Sequence, residues 1–264
     1  MRVRQFRDIH EAALYVATRV EAVVLDKAHP VLGLATGETP IPLYQELVAF
    51  HRQGLSFRHV TTVNLDEYVG LSPDHPQSYY RFMADHFWNR VDIPADKTHI
   101  PHGLAPDLEQ ECRRYDQVLA AHPIDLQVLG IGRNGHIGFN EPGVLNATTH
   151  VVALTADTLA ANARFFDKAD TVPTHAITMG METILQSREI VLMAFGRDKA
   201  DAVGRALGDT ISSRVPASFL QRHPNVTFVL DHDAALALRH LTTVPTSNNV
   251  RAGRVRSCGW DSFS

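Results

Sequence analysis

The chain has 264 residues, of which 44% are hydrophobic, and its formal net charge is -4 at pH 7. This length and composition allow one large core, and no proline-rich, glycine- and serine-rich or charged linker divides the chain, so we expect a single domain over 1–264. Lys and Arg are scattered along the chain and do not form a basic surface for nucleic acid. The two cysteines, Cys112 and Cys258, do not have the spacing of a metal or redox motif. The sequence shows no apolar leader and no membrane span, so we expect a cytoplasmic protein.

Short apolar segments alternate with longer segments of helical period along the chain. The predicted strands are 30–35, 60–65, 125–131, 175–178, 190–195 and 226–230. The predicted helices are 9–26, 41–51, 78–89, 108–121, 155–166, 181–187, 199–207 and 217–222. This alternation predicts a three-layer, doubly wound α/β fold of the Rossmann-like kind, with a mostly parallel sheet and helices on both faces. We expect 245–264, which has no clear period, to be a loose or oligomer-dependent tail.

A turn rich in Thr and Gly follows the first predicted strand at 33–40. Gly37 permits a sharp turn, and Thr39 can cap the helix that follows. The free amides at such a helix start, with the hydroxyls of Thr36 and Thr39, favour a phosphate, although the same pattern suits a capped turn without a ligand. No dinucleotide fingerprint or P-loop occurs, which favours a small phosphorylated metabolite.

Two cations are candidates for holding such a phosphate. Arg164 lies in a predicted helix, and Lys199 lies where the segment 195–199 enters the next one. Fixed cations suit a phosphate dianion. Both residues also fit a role as solvated helix charges, so the pattern alone leaves the two interpretations open.

The second predicted strand ends in adjacent carboxylates, Asp66 and Glu67. In an open α/β sheet, ligands bind beyond the carboxyl ends of strands. An ionised Asp66 in a water-poor pocket could take an acidic carbon-bound proton, because proximity and desolvation offset its modest basicity. The alternative is that Asp66 caps a loop or helix.

Five glycines surround an Asn, a His and a Glu at 130–143, directly after a predicted buried strand. The imidazole of His136 could accept and return a proton near neutral pH, while Glu141 and Asn134 could orient it and stabilise its cation. The alternative is a hydrogen-bonded loop histidine. No HxxxH or HxH pairing accompanies His136, so we expect no metal.

Together these segments resemble glucosamine-6-phosphate deaminase, in a superfamily that also includes 6-phosphogluconolactonase. The resemblance covers most of the chain and includes the turn at 33–40, the motif Asn-Leu-Asp-Glu-Tyr-Val-Gly at 64–70 and the segment His-Pro-Gln-Ser-Tyr-Tyr at 75–80. The loop Gly-Arg-Asn-Gly-His-Ile-Gly-Phe-Asn-Glu-Pro at 132–142 is the most specific, since its Phe-Asn-Glu-Pro continuation is similar to the deaminases.

The resemblance implies conversion of glucosamine 6-phosphate and water to fructose 6-phosphate and ammonia, without a cofactor. His136, helped by Asn134 and Glu141, would open the sugar ring. Asp66 would move a proton from C2 to C1. The phosphate would be held by Thr36, Gly37, Thr39, Arg164 and Lys199. The resemblance also allows a homo-oligomer, since members of the family range from monomers to hexamers.

Three features depart from the family's commonest pattern. Asn134 stands where many members have Asp, which implies weaker polarisation of the histidine. Glu38 stands beside the expected phosphate, where its carboxylate is repulsive unless it points outward. Residues 142–153 lack the basic pair of allosteric members, so we expect no activation by N-acetylglucosamine 6-phosphate. Glu38 keeps galactosamine 6-phosphate open as the substrate, and the motifs also leave room for a lactonase or a non-catalytic sugar-phosphate sensor.

Overall fold

A central sheet of seven parallel strands and a smaller antiparallel sheet organise the chain. The computed structural model describes residues 1–155, 158–159, 166, 172–208 and 210–238. In these residues the strands are β1 (Arg2–Phe6), β2 (Val31–Leu34), β3 (Thr61–Asn64), β4 (Asp66–Tyr68), β5 (Thr98–His99), β6 (Leu126–Leu129), β7 (His150–Ala153), β8 (His175–Thr178), β9 (Glu189–Ala194) and β10 (Val226–Asp231). The central sheet has the order β1-β10-β9-β6-β2-β3-β5, and the small sheet has the order β4-β8-β7.

Helices cover both faces of the central sheet. The α-helices described are α1 (Ile9–Asp26), α2 (Ile41–Arg52), α3 (Tyr79–His86), α4 (Leu108–Ala121), α5 (Met181–Leu185) and α6 (Ala200–Ala206). The side chains of Asp8, Ser78 and Asp107 accept hydrogen bonds from backbone N–H groups in the first turns of α1, α3 and α4. These caps satisfy amides that a helix start leaves without partners, which explains where the three helices begin.

The strands are buried on both faces, as a parallel sheet between two helical layers requires. In β9, Ile190, Leu192 and Ala194 pack in the core beneath α4, α5 and α6, whereas Val191 and Met193 pack in the core beneath α1, α2 and α3. Neighbouring residues therefore alternate between two cores, the two-residue period of a strand. The expected fold class, a three-layer doubly wound α/β arrangement, is confirmed.

The chain changes direction across the sheet between β2 and β6, which are neighbours. From β2 the chain continues through α2 to β3, and from β6 it continues through α5, on the opposite face, to β9. Loops at this point diverge to opposite faces and leave a crevice beyond the carboxyl ends of the strands. The segments that follow β2, β6 and β9 therefore lie at the edge of one crevice.

The small sheet stands at that same end of the molecule. Only Leu65 separates β3 from β4, and Asp66 pairs with Thr178 of β8 in antiparallel register. The N–H of Met179 donates to the carbonyl of Leu65 across 2.7 Å, which ties the end of β8 to the end of the central sheet. The first residue of β4, Asp66, is thereby fixed at the crevice.

The predicted elements agree with the structure in the core and differ at its margins. The predicted strand 175–178 is present, but in the small antiparallel sheet. Strands β1, β4, β5 and β7 are not among the predicted elements. The segment 217–222, predicted as an α-helix, forms part of a 3-10 helix, Pro216–Arg222, which starts at a proline. Most of the predicted helix 155–166, and the tail 245–264, lie outside the described residues.

Candidate active site

Asp66 is a buried carboxylate at the start of β4. It is 4% exposed, and no described residue donates a hydrogen bond to its carboxylate. The glycine loop packs closely against Asp66: a methyl group placed on Gly138 would lie 3.0 Å from both Asp66 Oδ2 and Thr178 Oγ1. Gly138 also has φ +58°, a backbone conformation that favours glycine. Burial, reinforced by the negative charge of Glu67, raises the pKa of Asp66 to about 8. This carboxylate is therefore unusually basic.

Its neighbour Glu67 lies on the opposite side of β4, because successive side chains of a strand point to opposite faces. The backbone N–H groups of Tyr68, Tyr79 and Tyr80 donate to its carboxylate across 2.8, 2.9 and 2.8 Å. Burial raises the pKa of Glu67 to about 7, although these three hydrogen bonds oppose the rise. Glu67 thus joins β4 to the start of α3. The backbone N–H groups at the start of α3 donate to Glu67 and Ser78 and not to Asp66, so the interpretation of Asp66 as a helix cap is wrong.

His136 lies in the glycine-rich loop after β6, beside Glu141. Nδ1 of His136 is 3.3 Å from Oε2 of Glu141, an ion-pair distance, although the contact is not a well-aligned hydrogen bond. The ring packs directly over Gly132, where a methyl group would come within 2.5 Å of Nδ1. Only glycine at that position leaves room for the imidazole in this orientation.

A chain of hydrogen bonds fixes Glu141. Asn134 Nδ2 donates to Glu141 Oε2 across 2.7 Å, and Asn134 Oδ1 accepts from the backbone N–H of His136 across 3.1 Å. The hydroxyl of Thr158 donates to Oε1 of Glu141 across 2.6 Å. Burial would raise the pKa of Glu141, but the close contact with His136 and its charge, with the hydrogen bonds from Thr158 and Asn134, lower it to about 2. Glu141 is therefore a permanent anion facing the imidazole.

The loop that carries His136 is attached to the strand that faces Asp66. The backbone N–H of Phe139 donates to Thr178 Oγ1 across 3.2 Å. Asn140 Nδ2 donates to the carbonyls of Ile137 and Met179 across 3.0 and 2.8 Å. These bonds hold the glycine loop against β8, so that the structure brings Asp66, His136, Glu141 and Asn134 together at one end of the sheet.

The turn after β2 forms the other side of the crevice. Gly37 has φ +92°, a backbone conformation that favours glycine. Helix α2 begins at Ile41 without a side-chain cap, so the prediction that Thr39 caps it is wrong. The hydroxyls of Thr36 and Thr39 make no hydrogen bond among the described residues and are available to a ligand.

Lys199 ends a 3-10 turn after β9, the strand next to β6. Its side chain is 21% exposed, and its Nζ is 4.0 Å from a carboxylate oxygen of Asp198. Burial lowers the pKa of Lys199, while the charges of Asp198 and Glu38 raise it and that of Arg133 lowers it. A largely buried cation at the crevice is unlike a solvated helix charge.

Glu38 is exposed, in agreement with an outward position, while its charge still acts on Lys199. Arg164 lies outside the described residues.

Metal-binding and membrane-spanning features are absent from the part of the chain that the structure describes. There, no three side chains of His, Cys, Asp or Glu are grouped closely enough to hold a metal ion. None of the helices described combines the length and the apolar character needed to cross a membrane.

Two threonines support the site without having been predicted from the sequence. Thr158 donates to the carboxylate of Glu141, and Thr178 accepts from the glycine loop beside Asp66. The structural role of Glu67, which binds the first amides of α3, was also not predicted.

Comparison with known proteins gives a consistent set of relatives. Residues 7–229 match the model of the family described as glucosamine-6-phosphate isomerases/6-phosphogluconolactonase. A glucosamine-6-phosphate deaminase of Geobacillus sp. (strain WCH70) is 51% identical over 237 residues, which is 89% of this chain and 94% of the relative. One of Rhodopirellula baltica is 51% identical over 234 residues, 88% of this chain and 93% of the relative.

Solved structures give the same picture. The structure of a monomeric glucosamine-6-phosphate deaminase matches with a TM-score of 0.86 and 46% identity, covering 89% of this chain and 99% of that one. The 6-phosphogluconolactonase of Thermotoga maritima matches with a TM-score of 0.71 and 21% identity, covering 87% of this chain and 99% of that one. The second likeness shows the shared fold alone.

Proposed function

This chain belongs to the glucosamine-6-phosphate isomerase/6-phosphogluconolactonase family, and we propose that within it the chain is a glucosamine-6-phosphate deaminase. It converts glucosamine 6-phosphate and water to fructose 6-phosphate and ammonia, a step in the use of amino sugars. The deaminases that it resembles are about half identical over most of both chains. The observation that carries the chemistry is Asp66, a buried carboxylate that receives no hydrogen bond from the described residues and is fixed beside the loop of His136.

Ring opening is the first step and belongs to His136. The imidazole takes the proton of the anomeric hydroxyl and delivers a proton to the ring oxygen, so the bond from C1 to that oxygen breaks and C1 becomes an aldehyde. An imidazolium forms in between, and the anionic Glu141, 3.3 Å from Nδ1, stabilises it. Asn134 and Thr158 hold Glu141 in place for this task.

Proton transfer between carbons is the second step and belongs to Asp66. The aldehyde acidifies the proton on C2, Asp66 takes that proton, and the electron pair moves onto the aldehyde oxygen. This oxygen takes a proton from water, which gives an enolamine. Asp66 returns the proton to C1, which leaves an imine at C2. Water adds to the imine and ammonia departs, giving the ketone of fructose 6-phosphate. A carboxylate with a raised pKa suits this step, because a stronger base lowers the barrier to removing a carbon-bound proton. No step requires a cofactor.

The phosphate gives the substrate its position. The amides and hydroxyls of the turn at Thr36, Gly37 and Thr39 face the crevice between β2 and β6, and Lys199 reaches it from the neighbouring β9. The family resemblance adds Arg164. The ends of β2 and β9, on either side of β6, thereby supply neutral donors and a cation to one dianion, which anchors the sugar with its reacting carbons toward Asp66. We further propose that the enzyme works in the cytoplasm.

Ammonia release separates this proposal from its competitors. We would measure it with glucosamine 6-phosphate and galactosamine 6-phosphate, with hydrolysis of 6-phosphogluconolactone assayed in parallel. The proposal expects the highest kcat/KM with glucosamine 6-phosphate. A preference for the galactosamine ester would reassign the substrate, and lactone hydrolysis without ammonia release would reassign the reaction. Binding of all three without turnover would indicate a sensor.

A further inference from the structure

A second cavity lies at the opposite end of the central sheet. Since all seven strands are parallel, the residues that precede them gather at the edge away from the catalytic loops. Lys97 stands directly before β5, Asp125 before β6 and Arg188 before β9. With residues that precede β2 and β3, they line a cavity of about 510 Å³. This volume is in the range of small-ligand sites, about 300–1,000 Å³.

The cavity carries positive charge, against the sign of the chain as a whole. Its lining includes Lys27, Lys97 and Arg188, and one acidic residue, Asp125. The formal charge of these four side chains is +2, whereas the complete chain has a net charge of -4. Three histidines also line it, at positions 29, 59 and 122. Such a concentration of donors in a concave surface favours an anion.

Asp125 orders two of the cations without neutralising both. Its carboxylate is 8% exposed, and Oδ1 is 3.3 Å from Nζ of Lys27 and 3.3 Å from Nε of Arg188. Its Oδ2 accepts a hydrogen bond from the backbone N–H of Val31 across 3.0 Å. A single negative charge thus holds two positive groups at one wall of the cavity. The contacts with Asp125 restrict both groups before any ligand binds, and the Arg188 side chain, 67% exposed, keeps its other guanidinium donors open to a ligand.

Lys97 supplies the third cation from another side of the cavity. Its Nζ donates to the backbone carbonyl of Arg58 across 3.1 Å, a neutral partner that orients the ammonium group without cancelling its charge. An ammonium has three donors, so two remain for a ligand. The cavity therefore combines cations from three separate segments of the chain, each oriented by an oxygen partner.

We propose that this cavity is a second binding site, which takes a small phosphorylated molecule with at least two negative charges. Phosphate oxygens match the separated point charges of two lysines and the planar donors of an arginine. The site is distinct from the catalytic crevice, because the two lie at opposite ends of the same parallel strands. It does not depend on the reaction assigned to that crevice.

The test uses inorganic pyrophosphate as the probe and isothermal titration calorimetry at constant ionic strength. It is performed on the full chain with Lys199→Gln, which weakens the phosphate side of the catalytic crevice. We expect saturable binding in this background. Adding Lys97→Gln should weaken binding about 3-fold, and adding Lys97→Gln with Arg188→Gln should weaken it about 10-fold or more.

The control is the pair Arg113→Gln and Arg205→Gln, which removes the same charge from exposed helix surfaces. It should leave the affinity within about 2-fold. Equal weakening by the control pair would show a diffuse charge effect, and loss of all binding with Lys199→Gln alone would place the probe in the catalytic crevice. Either result, or no binding at millimolar pyrophosphate, would overturn the proposal. Lys97→Gln leaves Asp125 with both of its partners, so it tests the site even if the double variant fails to fold.

Discussion

Two carboxylates at the crevice, Asp66 and Glu141, differ in their hydrogen-bond donors and therefore in their pKa. Both are less than 10% exposed. The pKa of Asp66 rises to about 8 because no donor among the described residues offsets its burial, whereas that of Glu141 falls to about 2 because His136, Thr158 and Asn134 outweigh burial. Burial alone therefore does not set the basicity of an acid in a protein; the donors around it do.

The difference assigns the two acids to different tasks. A carboxylate that gains a proton readily can take one from carbon. The lack of hydrogen-bond donors around Asp66 therefore suits it to act as the base. A carboxylate that stays ionised can stabilise a neighbouring imidazolium, so the donor-rich loop of Glu141 favours an electrostatic role. Environments that separate the pKa values of two acids in this way are typical of sites that need a base and a permanent anion together.

The largest effect is expected from removing the base. Asp66→Asn should lower kcat by about 10²–10⁴-fold while substrate binding changes little, because only the proton acceptor is lost. In the unsubstituted enzyme, kcat/KM should rise with pH until Asp66 is ionised, near pH 8. Steady-state ammonia release over pH 6–9 measures both effects, with Asp201→Asn on the exposed face of α6 as the control. A rate for Asp66→Asn within 10-fold of the unsubstituted enzyme would contradict the assignment.

A smaller and substrate-dependent effect is expected at the glycine loop. His136→Gln should lower kcat/KM for glucosamine 6-phosphate by about 10²-fold, since ring opening loses its acid and base. With an open-chain analogue that lacks the C4 and C5 hydroxyls, and so cannot form a ring, the loss should be less than about 10-fold. Equal losses on the two substrates would remove the ring-opening role from His136.

The two carboxylates should also affect stability in opposite directions. The pKa of Asp66 is raised on folding, so its contribution to stability is present below about pH 4 and is lost as pH rises through about 8. Asp66→Asn should therefore gain about 1–3 kcal/mol relative to the unsubstituted protein between pH 5 and 8. Glu141 has a lowered pKa, so its contribution is present above about pH 4.5 and is lost as pH falls through about 2.

Glu141→Gln should accordingly cost about 1–3 kcal/mol at pH 7, and less at pH 3. Urea unfolding of both variants at three pH values measures these differences in the free energy of unfolding. If both variants shifted stability in the same direction at pH 7, the contrast between the two environments would be lost.

The smallest effect is expected on the phosphate side. The charge of Glu38 acts on Lys199, so it also opposes an incoming phosphate. Glu38→Ser should lower KM for glucosamine 6-phosphate about 2- to 5-fold with kcat unchanged, since the charge acts on binding and not on the reacting carbons. The control is Glu109→Ser on the exposed surface of α4. An increase in KM would mean that Glu38 assists binding.

The sequence predicted the parts of the molecule that depend on local pattern. The buried strands appear in the sequence as apolar runs, and each is followed by one candidate site residue: Thr36, Asp66, His136 or Lys199. Because the strands are parallel, these four residues meet at one edge of the sheet. Two of the missed strands, β1 and β5, lack such a signal. Strand β1 is mostly exposed, and β5 has two residues, so neither shows an apolar run.

The supporting residues could not be predicted, because they depend on contacts between distant segments. Thr158 reaches Glu141 from 17 residues away, and Thr178 reaches Phe139 from 39 residues away. Nothing local marks either threonine as part of a site. Glu67 is different: helix α3 begins with free amides that need acceptors, and a carboxylate beside the proposed base was a visible candidate.

Proton transfer by Asp66 between C2 and C1 is the central step of the proposed reaction, and hydrogen exchange with the solvent tests it most directly. Glucosamine 6-phosphate is incubated in D₂O with the unsubstituted enzyme and with Asp66→Asn, and deuterium at C2 of the remaining substrate and C1 of the product is followed by NMR. A proton held on Asp66 exchanges with D₂O before part of it is returned to carbon, so we predict deuterium at both carbons with the unsubstituted enzyme, and a loss of exchange by about 10²-fold or more with Asp66→Asn. Exchange at C2 that continues at its original rate in Asp66→Asn would contradict the account.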